Sequence, residues 1–299
     1  MCETYPQQIK IVEVGPRDGL QNEAQIIPAT VKVALIDHLG RAGIKYIEAS
    51  SFVHPKRIPQ LADAEEVFNT LPRIEGIHYS ALVPNIKGMQ RAIDANVDSI
   101  AVFTAASETF CQRNIQCSIA ESLERFSEVF KCAKTHQIPV RGYISCALGC
   151  PYEGEVAQHQ VVELAKSLID MGCYEISVGD TIGIGTPFQA RNLIRALKVN
   201  IPLKQVAVHF HNTRGQALAN ILICLQEGIQ VIDSAVAGLG GCPYASGASG
   251  NVASEDVVYM LHGMGIDTGI DLNTLIHAGN FISEQLQRQN NSLVSRARR

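Results

Sequence analysis

The sequence predicts an α/β protein of the (β/α)8 TIM-barrel class, organised as a single barrel domain over residues 1–299. Eight short apolar, β-branched runs recur along the chain, and each is followed by a polar or glycine-rich turn and then by a segment of helical periodicity. Strands alternating with helices imply parallel βαβ units, and a count of eight favours a closed barrel. A dinucleotide-binding open sheet is less favoured, because no G-x-G-x-x-G turn follows the first strand.

The predicted strands have the short length that is typical of the strands in such a barrel. They cover residues 9–14, 46–49, 79–83, 99–104, 140–146, 175–179, 205–211 and 231–237. Helical patterns lie between them, for example "SLERFSEVFKCAKTH", "VVELAKSLIDMG" and "GQALANILICLQEG". Several of these patterns are closed by a glycine just past the last periodic residue, a common way for a helix to end.

The end of the chain departs from the repeating pattern. Residues 266–286 or thereabouts predict additional helix after the eighth βα unit, packed across the barrel. The polar tail at 288–299 is expected to be frayed. Neither a linker nor a low-complexity block interrupts the sequence, which favours one domain over two.

Composition excludes several functional classes. A net charge of −4 without a long basic stripe argues against a nucleic-acid partner and favours a small molecule. Nine scattered cysteines without CxxC pairs argue against a disulfide framework. Cys146 and Cys150 offer only half of a zinc site, so packing is the better interpretation. No apolar run of membrane-spanning length and no targeting segment is apparent, which favours a cytoplasmic protein without membrane contact.

The first site signal is the pair of histidines in "VAVHFHNTRG". His209 and His211 end the seventh predicted strand, and side chains two residues apart on a strand point to the same face. Taken alone, each imidazole is more often a hydrogen-bonded core residue than a ligand. As a pair at a strand end, they are candidates for binding a metal ion.

Other polar residues converge on the same predicted barrel mouth, where the C-terminal strand ends of such barrels carry the active site. The candidates from the remaining strands are Arg17 and Asp18 after strand one, Glu48 on strand two, Asp180 at the end of strand six, and Cys242 and Asn251 after strand eight. Singly, an aspartate after a strand is usually a turn former or helix cap. Together, two imidazoles, a carboxylate and an amide make a mixed nitrogen and oxygen site suited to Mg²⁺ or Mn²⁺.

The remaining candidates have predicted roles around this ion. Glu48 and Asp180 can orient the ligating histidines or transfer protons, and Arg17 supplies fixed positive charge for a developing enolate oxygen. The glycine-rich loop at 238–250, with Gly240, Gly241 and Gly247 around Cys242 and Pro243, predicts a lid that carries a cysteine over the substrate. A buried thiol that only packs the loop is the plainer alternative.

Six motifs resemble the 3-hydroxy-3-methylglutaryl-CoA lyases in order and spacing, over about residues 9–282. They are "VGPRDGLQNE", "IEASSFVHPK", "LVPNIKG", "CALGCPYEG", "VGDTIGIGTP" and "GLGGCPYASGASGN". The resemblance implies a metal-dependent barrel enzyme that cleaves HMG-CoA to acetyl-CoA and acetoacetate in leucine degradation and ketone-body formation. It also implies a homodimer.

Carried over residue by residue, the resemblance implies specific roles. The cation ligands would be Asp18, His209, His211 and Asn251. Arg17 would bind the thioester carbonyl and enolate, Glu48 and Asp180 would be supporting carboxylates, and Cys242 would be the catalytic loop cysteine. The chain departs from many of these lyases at Asn212 and Arg214, where Asp and Tyr are common.

Three alternatives remain open from the sequence. The closest is an enzyme of the isopropylmalate or homocitrate synthase kind, which joins acetyl-CoA to a keto acid on the same barrel. A lyase for a related 3-hydroxyacyl-CoA is the second, because side pockets are not visible in a sequence. A non-catalytic scaffold is the third, and it would predict a broken set of site residues, whereas every position holds the expected residue type.

Overall fold

Eight parallel strands close into a barrel in chain order, with β8 pairing back onto β1, in the computed structural model of the protein. The structure describes residues 5–241 and 250–298. The strands are β1 Lys10–Glu13, β2 Tyr46–Ser51, β3 His78–Leu82, β4 Ser99–Ala105, β5 Val140–Ser145, β6 Cys173–Asp180, β7 Val206–Phe210 and β8 Val231–Ser234. The predicted (β/α)8 fold class is therefore confirmed.

Helices follow the strands around the outside of the barrel. They are α1 Ala29–Arg41, α2 Ala64–Thr70, α3 Ile86–Asp94, α4 Glu108–Ile115, α5 Ile119–Thr135, α6 Gln158–Met171, α7 Pro187–Lys198, α8 Ala217–Glu227, α9 Ser254–Gly263, α10 Leu272–Gln285 and α11 Leu293–Ala297. In the described part of the chain, none is both long and apolar enough to cross a bilayer.

Local sequence signals explain where several helices begin and end. A capping box joins Ser118 and Glu121 at the start of α5, which satisfies two amides that a helix N-terminus leaves unpaired. Gly172 and Gly228 end α6 and α8 with φ of 113° and 104°, a conformation that glycine adopts without steric cost. These ends place each following strand at the right height in the barrel wall.

A series of ion pairs runs through the barrel interior, from the partly exposed Lys10 to the buried Glu175, Arg141 and Asp233. Lys10 Nζ donates to Glu175 Oε2 over 2.6 Å, and Arg141 Nε donates to Glu175 Oε1 over 2.7 Å. The same Arg141 guanidinium binds Asp233 through two bonds of 3.0 and 2.8 Å. The three buried charges persist because each has a partner. The last of them, Asp233, lies directly beneath the barrel mouth.

The C-terminal segment differs from the frayed tail expected at 288–299. Asn290, Ser292 and Ser295 are buried, and Ser292–Ala297 form a capped helical turn. Asp256 on α9 accepts hydrogen bonds from Ser292 Oγ at 2.7 Å and from the Val294 amide at 2.9 Å. The expectation was wrong for Asn290, Ser292 and Ser295, because these polar residues form hydrogen bonds with α9 and α10 instead of facing water.

The two cysteines considered as half of a zinc site lie in a small buried cluster with Ala105, Phe110 and Cys111. Cys150 Sγ lies 3.0 Å from Ser107 Oγ. Burial raises the pKa of the Cys146 thiol, which disfavours the thiolate that zinc requires. All seven cysteines that the structure describes are free thiols.

Candidate active site

A cleft of about 500 Å³ opens at the C-terminal ends of the strands. Its walls include Arg17, Asp18, Tyr143, His209 and His211. Four of these five are candidates from the sequence, and they come from the end of β7, from the residue just past it and from the turn after β1. The cleft therefore lies where barrel enzymes of this architecture place their chemistry.

Asp18, His209 and His211 form a cluster able to hold a metal ion. Each offers one ligand atom, and the three atoms lie within 4.8 Å of one another. The two imidazole rings are 5.5 Å apart between centroids. The i, i+2 spacing thus brings both rings to one face, although only His209 lies within β7.

His209 is oriented from below by a residue that the sequence analysis did not single out. Its Nδ1 lies 3.3 Å from Oδ2 of Asp233, its register partner on β8. Burial opposes ionisation of Asp233, but Arg141 and His209 hold the pKa of this carboxyl well below its usual range. A proton on Nδ1 leaves the Nε2 lone pair, 3.8 Å from Asp18 Oδ2, facing the cluster.

His211 lies just past the end of β7. It forms an isolated antiparallel bridge with Asn251, which fixes its backbone. The imidazole is 8% exposed, and its buried Nδ1 has no hydrogen-bond partner among the described residues. Burial lowers the pKa of His211 to about 4, so the ring is neutral at physiological pH and keeps a lone pair for a ligand.

Asp18 and Asn251 meet at the seam between β1 and β8. The Asn251 Nδ2 donates to Asp18 Oδ2 over 2.9 Å and to the Leu239 carbonyl over 3.2 Å. Although burial would raise its pKa, Arg17 and the two histidines lower the pKa of Asp18 to about 2. The carboxylate is therefore ionised at neutral pH, and the amide lies beside it.

These residues fit a divalent cation. The donor set combines an ionised carboxylate, two imidazoles and an adjacent amide, a mixture suited to six-coordinate Mg²⁺ or Mn²⁺. The buried, unpartnered His211 Nδ1 is an independent sign, since buried polar atoms normally have partners. The cleft leaves room for a substrate to complete the coordination.

Arg17 is held rigidly beside this cluster. Its Nε donates to Glu48 Oε2 over 2.5 Å, and its Nη1 donates to Asp18 Oδ1 over 2.6 Å. Tyr143 lies under the guanidinium at 5.3 Å and donates its hydroxyl to Glu48 over 3.3 Å. Burial would lower the pKa of Arg17, but Glu48 and Asp18 raise it, so the guanidinium stays cationic.

Glu48 contributes mainly through Arg17. It is fully buried, and burial raises the pKa of its carboxyl despite the neighbouring guanidinium. Its Oε1 has no hydrogen-bond partner in the structure. Glu48 thus holds Arg17 from behind the cleft, and its predicted role as a supporting carboxylate stays a prediction.

Asp180 lies further from the chemistry than the sequence analysis expected. Its buried carboxylate accepts from the amides of Ile184 at 3.1 Å and Gly185 at 2.8 Å. It is not among the described residues that line the cleft. The structure therefore shows Asp180 shaping the turn after β6, and its predicted role as a supporting carboxylate stays a prediction.

Cys242, Pro243 and Gly247 lie outside the described residues, so their predicted roles stay predictions. Both ends of the predicted loop are described. Gly250 packs so closely on Gly241 that a Cβ there would come within 2.8 Å of the Gly241 carbonyl oxygen. The Asn212 amide donates to the Gly250 carbonyl over 2.7 Å. The loop therefore leaves and returns at one point of the barrel mouth.

The two departures from the family pattern have structural partners. Asn212 Oδ1 accepts from the Ala217 amide at the start of α8 over 3.2 Å. Arg214 Nη1 donates to the Ile182 carbonyl over 2.8 Å and so ties the turn after β7 to the turn after β6. Both residues stabilise loops around the mouth.

Sequence reasoning missed Asp233, Arg141 and Tyr143. The available signal was an aspartate and an arginine inside otherwise apolar strands, in "VIDSAV" and "PVRGYIS". A charge at a core position is rare unless it is paired, so each deserved to be treated as a site candidate.

Comparisons with known proteins give a consistent result. A profile of the HMGL-like family matches residues 8–282. The chain is 55% identical over 293 residues to the mitochondrial hydroxymethylglutaryl-CoA lyase of Gallus gallus, with 98% of each chain covered. The crystal structure of hydroxymethylglutaryl-CoA lyase from Pseudomonas aeruginosa has a TM-score of 0.97 and 54% identity, over 98% of both chains.

A further solved structure carries ligands in its description. It is an HMG-CoA lyase from Acinetobacter baumannii in complex with coenzyme A and 3-methylmalate, with a TM-score of 0.94 and 37% identity. It covers 98% of this chain and 96% of its own. Because the profile spans most of the chain and similar proteins cover nearly all of it, the chain belongs to the HMGL-like family.

Proposed function

We propose that this protein is a hydroxymethylglutaryl-CoA lyase, a carbon–carbon lyase that cleaves HMG-CoA to acetyl-CoA and acetoacetate. The observation that carries the proposal is the Asp18, His209 and His211 cluster beside Arg17, in a cleft of a chain 55% identical to such a lyase. The reaction belongs to leucine degradation and ketone-body formation.

The cofactor we propose is Mg²⁺ or Mn²⁺, held by Asp18, His209, His211 and Asn251. A divalent cation there would lower the pKa of the substrate's tertiary hydroxyl by Lewis-acid polarisation. Asp233 keeps His209 in the tautomer that offers Nε2, and Asn251 keeps Asp18 turned into the cluster. The protein thus arranges its donor atoms before any ligand arrives.

The chemistry then follows from the positions of the charged side chains. The hydroxyl proton passes to Asp18 or to a histidine of the cluster, the C2–C3 bond breaks, and the hydroxyl carbon becomes the ketone of acetoacetate. The electron pair of that bond moves onto the thioester as an enolate. Arg17 faces the cleft with its charge fixed by Glu48, so it can stabilise the enolate oxygen without reorganising.

Protonation of the enolate carbon at C2 completes acetyl-CoA. Cys242, or an acid that it positions, remains our proposed source of this proton, as the sequence predicts. Asp180 supports the site through the turn after β6, because its carboxylate is committed to two backbone amides.

The cellular setting is also proposed. We expect a homodimer in the cytoplasm that binds an acyl-CoA and neither nucleic acid nor membrane. The complex of the Acinetobacter baumannii lyase with coenzyme A supports the acyl-CoA. Since the chicken relative is named as mitochondrial, cell fractionation is needed to test the compartment, and size-exclusion chromatography with light scattering tests the dimer.

One assay tests the function. Purified protein with HMG-CoA and Mg²⁺ is expected to release acetoacetate and acetyl-CoA in equal amounts, and a chelator is expected to stop the release. Acetyl-CoA with a set of keto acids serves as the control for the condensing alternative. Coupling of acetyl-CoA to a keto acid without cleavage of HMG-CoA would contradict the proposal, and preferential cleavage of a related 3-hydroxyacyl-CoA would revise its substrate.

A further inference from the structure

The Leu239–Gly240 backbone and the turn that carries Asp18 are packed face to face. A Cβ on Gly19 would come within 2.5 Å of the Leu239 Cβ. A Cβ on Gly240 would come within 3.1 Å of the Asn251 Nδ2. Leu239 also accepts a hydrogen bond from Asn251 through its carbonyl. Asp18 and Asn251 are two of the four candidate ligands. Their spacing therefore depends on how the turn after β8 packs against the turn after β1.

A single ion pair bridges these two turns from outside the cleft. Arg288 Nη1 donates to Glu23 Oε1 over 2.9 Å, and the same Glu23 oxygen accepts from the Gly240 amide at 3.3 Å. The Arg288 Nη2 reaches the carbonyls of Ala237 at 3.1 Å and Gly238 at 3.3 Å. Glu23 lies five residues after Asp18, and Arg288 follows α10.

The bonds made by this pair are specific in geometry. The guanidinium of Arg288 joins one carboxylate and two carbonyls, which a lysine ammonium cannot reproduce with the same fixed fork. Both side chains are largely shielded from water, at 22% exposed for Arg288 and 14% for Glu23, so solvent weakens the pair less than a surface ion pair. The carbonyls that Arg288 holds belong to a turn in which Ala237 has φ of 57°, a conformation that needs support from its surroundings.

We propose that Glu23 and Arg288 are positioning residues for the cation. The pair fixes the Leu239–Gly240 backbone against the strand-one turn and so sets the spacing between Asp18 and Asn251. The C-terminal segment after α10 thereby acts on the metal site from outside the cleft. This inference rests on the proposed cation site and assigns it a determinant that touches neither the ion nor the substrate.

The test measures metal binding directly, by titrating Mn²⁺ and following the loss of its free-ion EPR signal. Glu23→Gln and Arg288→Met are expected to weaken Mn²⁺ binding about three- to tenfold, less than the loss typical of a residue that bonds a ligand directly. Arg288→Lys is expected to give an intermediate affinity. The double variant is expected to lose little more than either single variant, because both act through one bridge.

Controls separate this inference from the proposed function and from simple destabilisation. Arg195→Met breaks the exposed Arg195–Glu227 pair and should leave Mn²⁺ affinity unchanged. His211→Ala should abolish binding, and if the unaltered protein itself binds no Mn²⁺, the proposed cation site fails and the inference with it. If the unaltered protein binds Mn²⁺ and the Glu23 and Arg288 variants bind equally well, losing only thermal stability, the positioning role is overturned while the site stands.

Discussion

Arg17 is the residue whose charge the proposed reaction needs most. Its guanidinium contacts Glu48, Asp18 and the Tyr143 ring together, so its position is fixed before substrate binds. We expect Arg17→Lys to lower kcat by about 10²–10³-fold, the cost of losing a preorganised donor to an oxyanion, with a smaller change in KM. Steady-state kinetics with HMG-CoA measure this. A change in KM alone would limit Arg17 to substrate binding.

Asp233 should act on the metal through His209. Asp233→Asn removes the charge that favours a proton on His209 Nδ1, and we expect about tenfold weaker Mn²⁺ affinity. Ser177→Ala is the matched control, because it removes a 2.7 Å bond to the same Asp233 oxygen without touching His209. Isothermal titration with Mn²⁺ compares the two variants. Equal affinity losses would mean that the effect comes from disturbing the barrel interior.

Among single residues, the sequence predicted those that face the cleft better than those that lie beneath it. His209 and His211 were recognisable because strand periodicity alone puts both on one face. Asp233 lies opposite His209 only through the register of β7 with β8, and Arg141 reaches Asp233 across the barrel interior. Such contacts depend on the closed barrel, which sequence spacing does not encode.

Among the elements, the turn after β8 places a glycine with positive φ directly against Asn251. Gly240 has φ of 100°, and a side chain there would meet the Asn251 amide. We expect Gly240→Ala to cost about 1–2 kcal/mol of backbone strain and also to weaken Mn²⁺ binding. Gly265→Ala is the control, since Gly265 has φ of 73° with open space around it. The melting temperature should fall in both variants, whereas Mn²⁺ affinity should fall only in Gly240→Ala.

Equal retention of Mn²⁺ affinity in the two glycine variants would contradict a link between this turn and Asn251.

The turn after β8 also shows why the ends of strands and helices were predicted less well than the strands and helices themselves. The predicted strand at 231–237 ends at Ser234, because Val236–Gly238 turn over instead of continuing in the barrel. The amides of that turn bind the buried carboxyl groups of Glu13 and Glu255, which are distant in sequence.

Across the whole molecule, buried carboxyl groups should make stability depend on pH. Burial raises the pKa of Glu255 from 4.5 to about 8 and that of Glu13 from 4.5 to about 7. Because the folded-state pKa values exceed the unfolded ones, this stabilisation is fully present below pH 4.5 and is lost as pH rises through about 7 to 8.

We therefore expect Glu255→Gln to flatten the fall in stability between about pH 5 and pH 8.5, by on the order of 3 kcal/mol. Urea denaturation at a series of pH values measures the free energy of unfolding. Glu163→Gln, at an exposed position on α6, should leave the pH profile as it is. If Glu255→Gln keeps the full pH dependence, the Glu255 carboxyl of the unaltered protein does not cause it, and that carboxyl is ionised in the folded state.

The fold was predictable at this scale because the alternation of eight strands with helices leaves few topologies. The packing of the C-terminal segment was not predictable, since its polar composition suggested solvent exposure. Ser292 and Asn290 are buried only because α9 presents Asp256 and α10 presents Asn280 to them. A polar sequence is stable in the interior when its partners are supplied by another part of the fold.

We propose above all that the barrel mouth holds one divalent cation through Asp18, His209, His211 and Asn251. The most direct measurement is an anomalous difference map from crystals grown with Mn²⁺. We expect one strong peak, within coordination distance of a ligand atom from each of these four residues. A peak at another place, or no peak at a Mn²⁺ concentration that supports full activity, would contradict it.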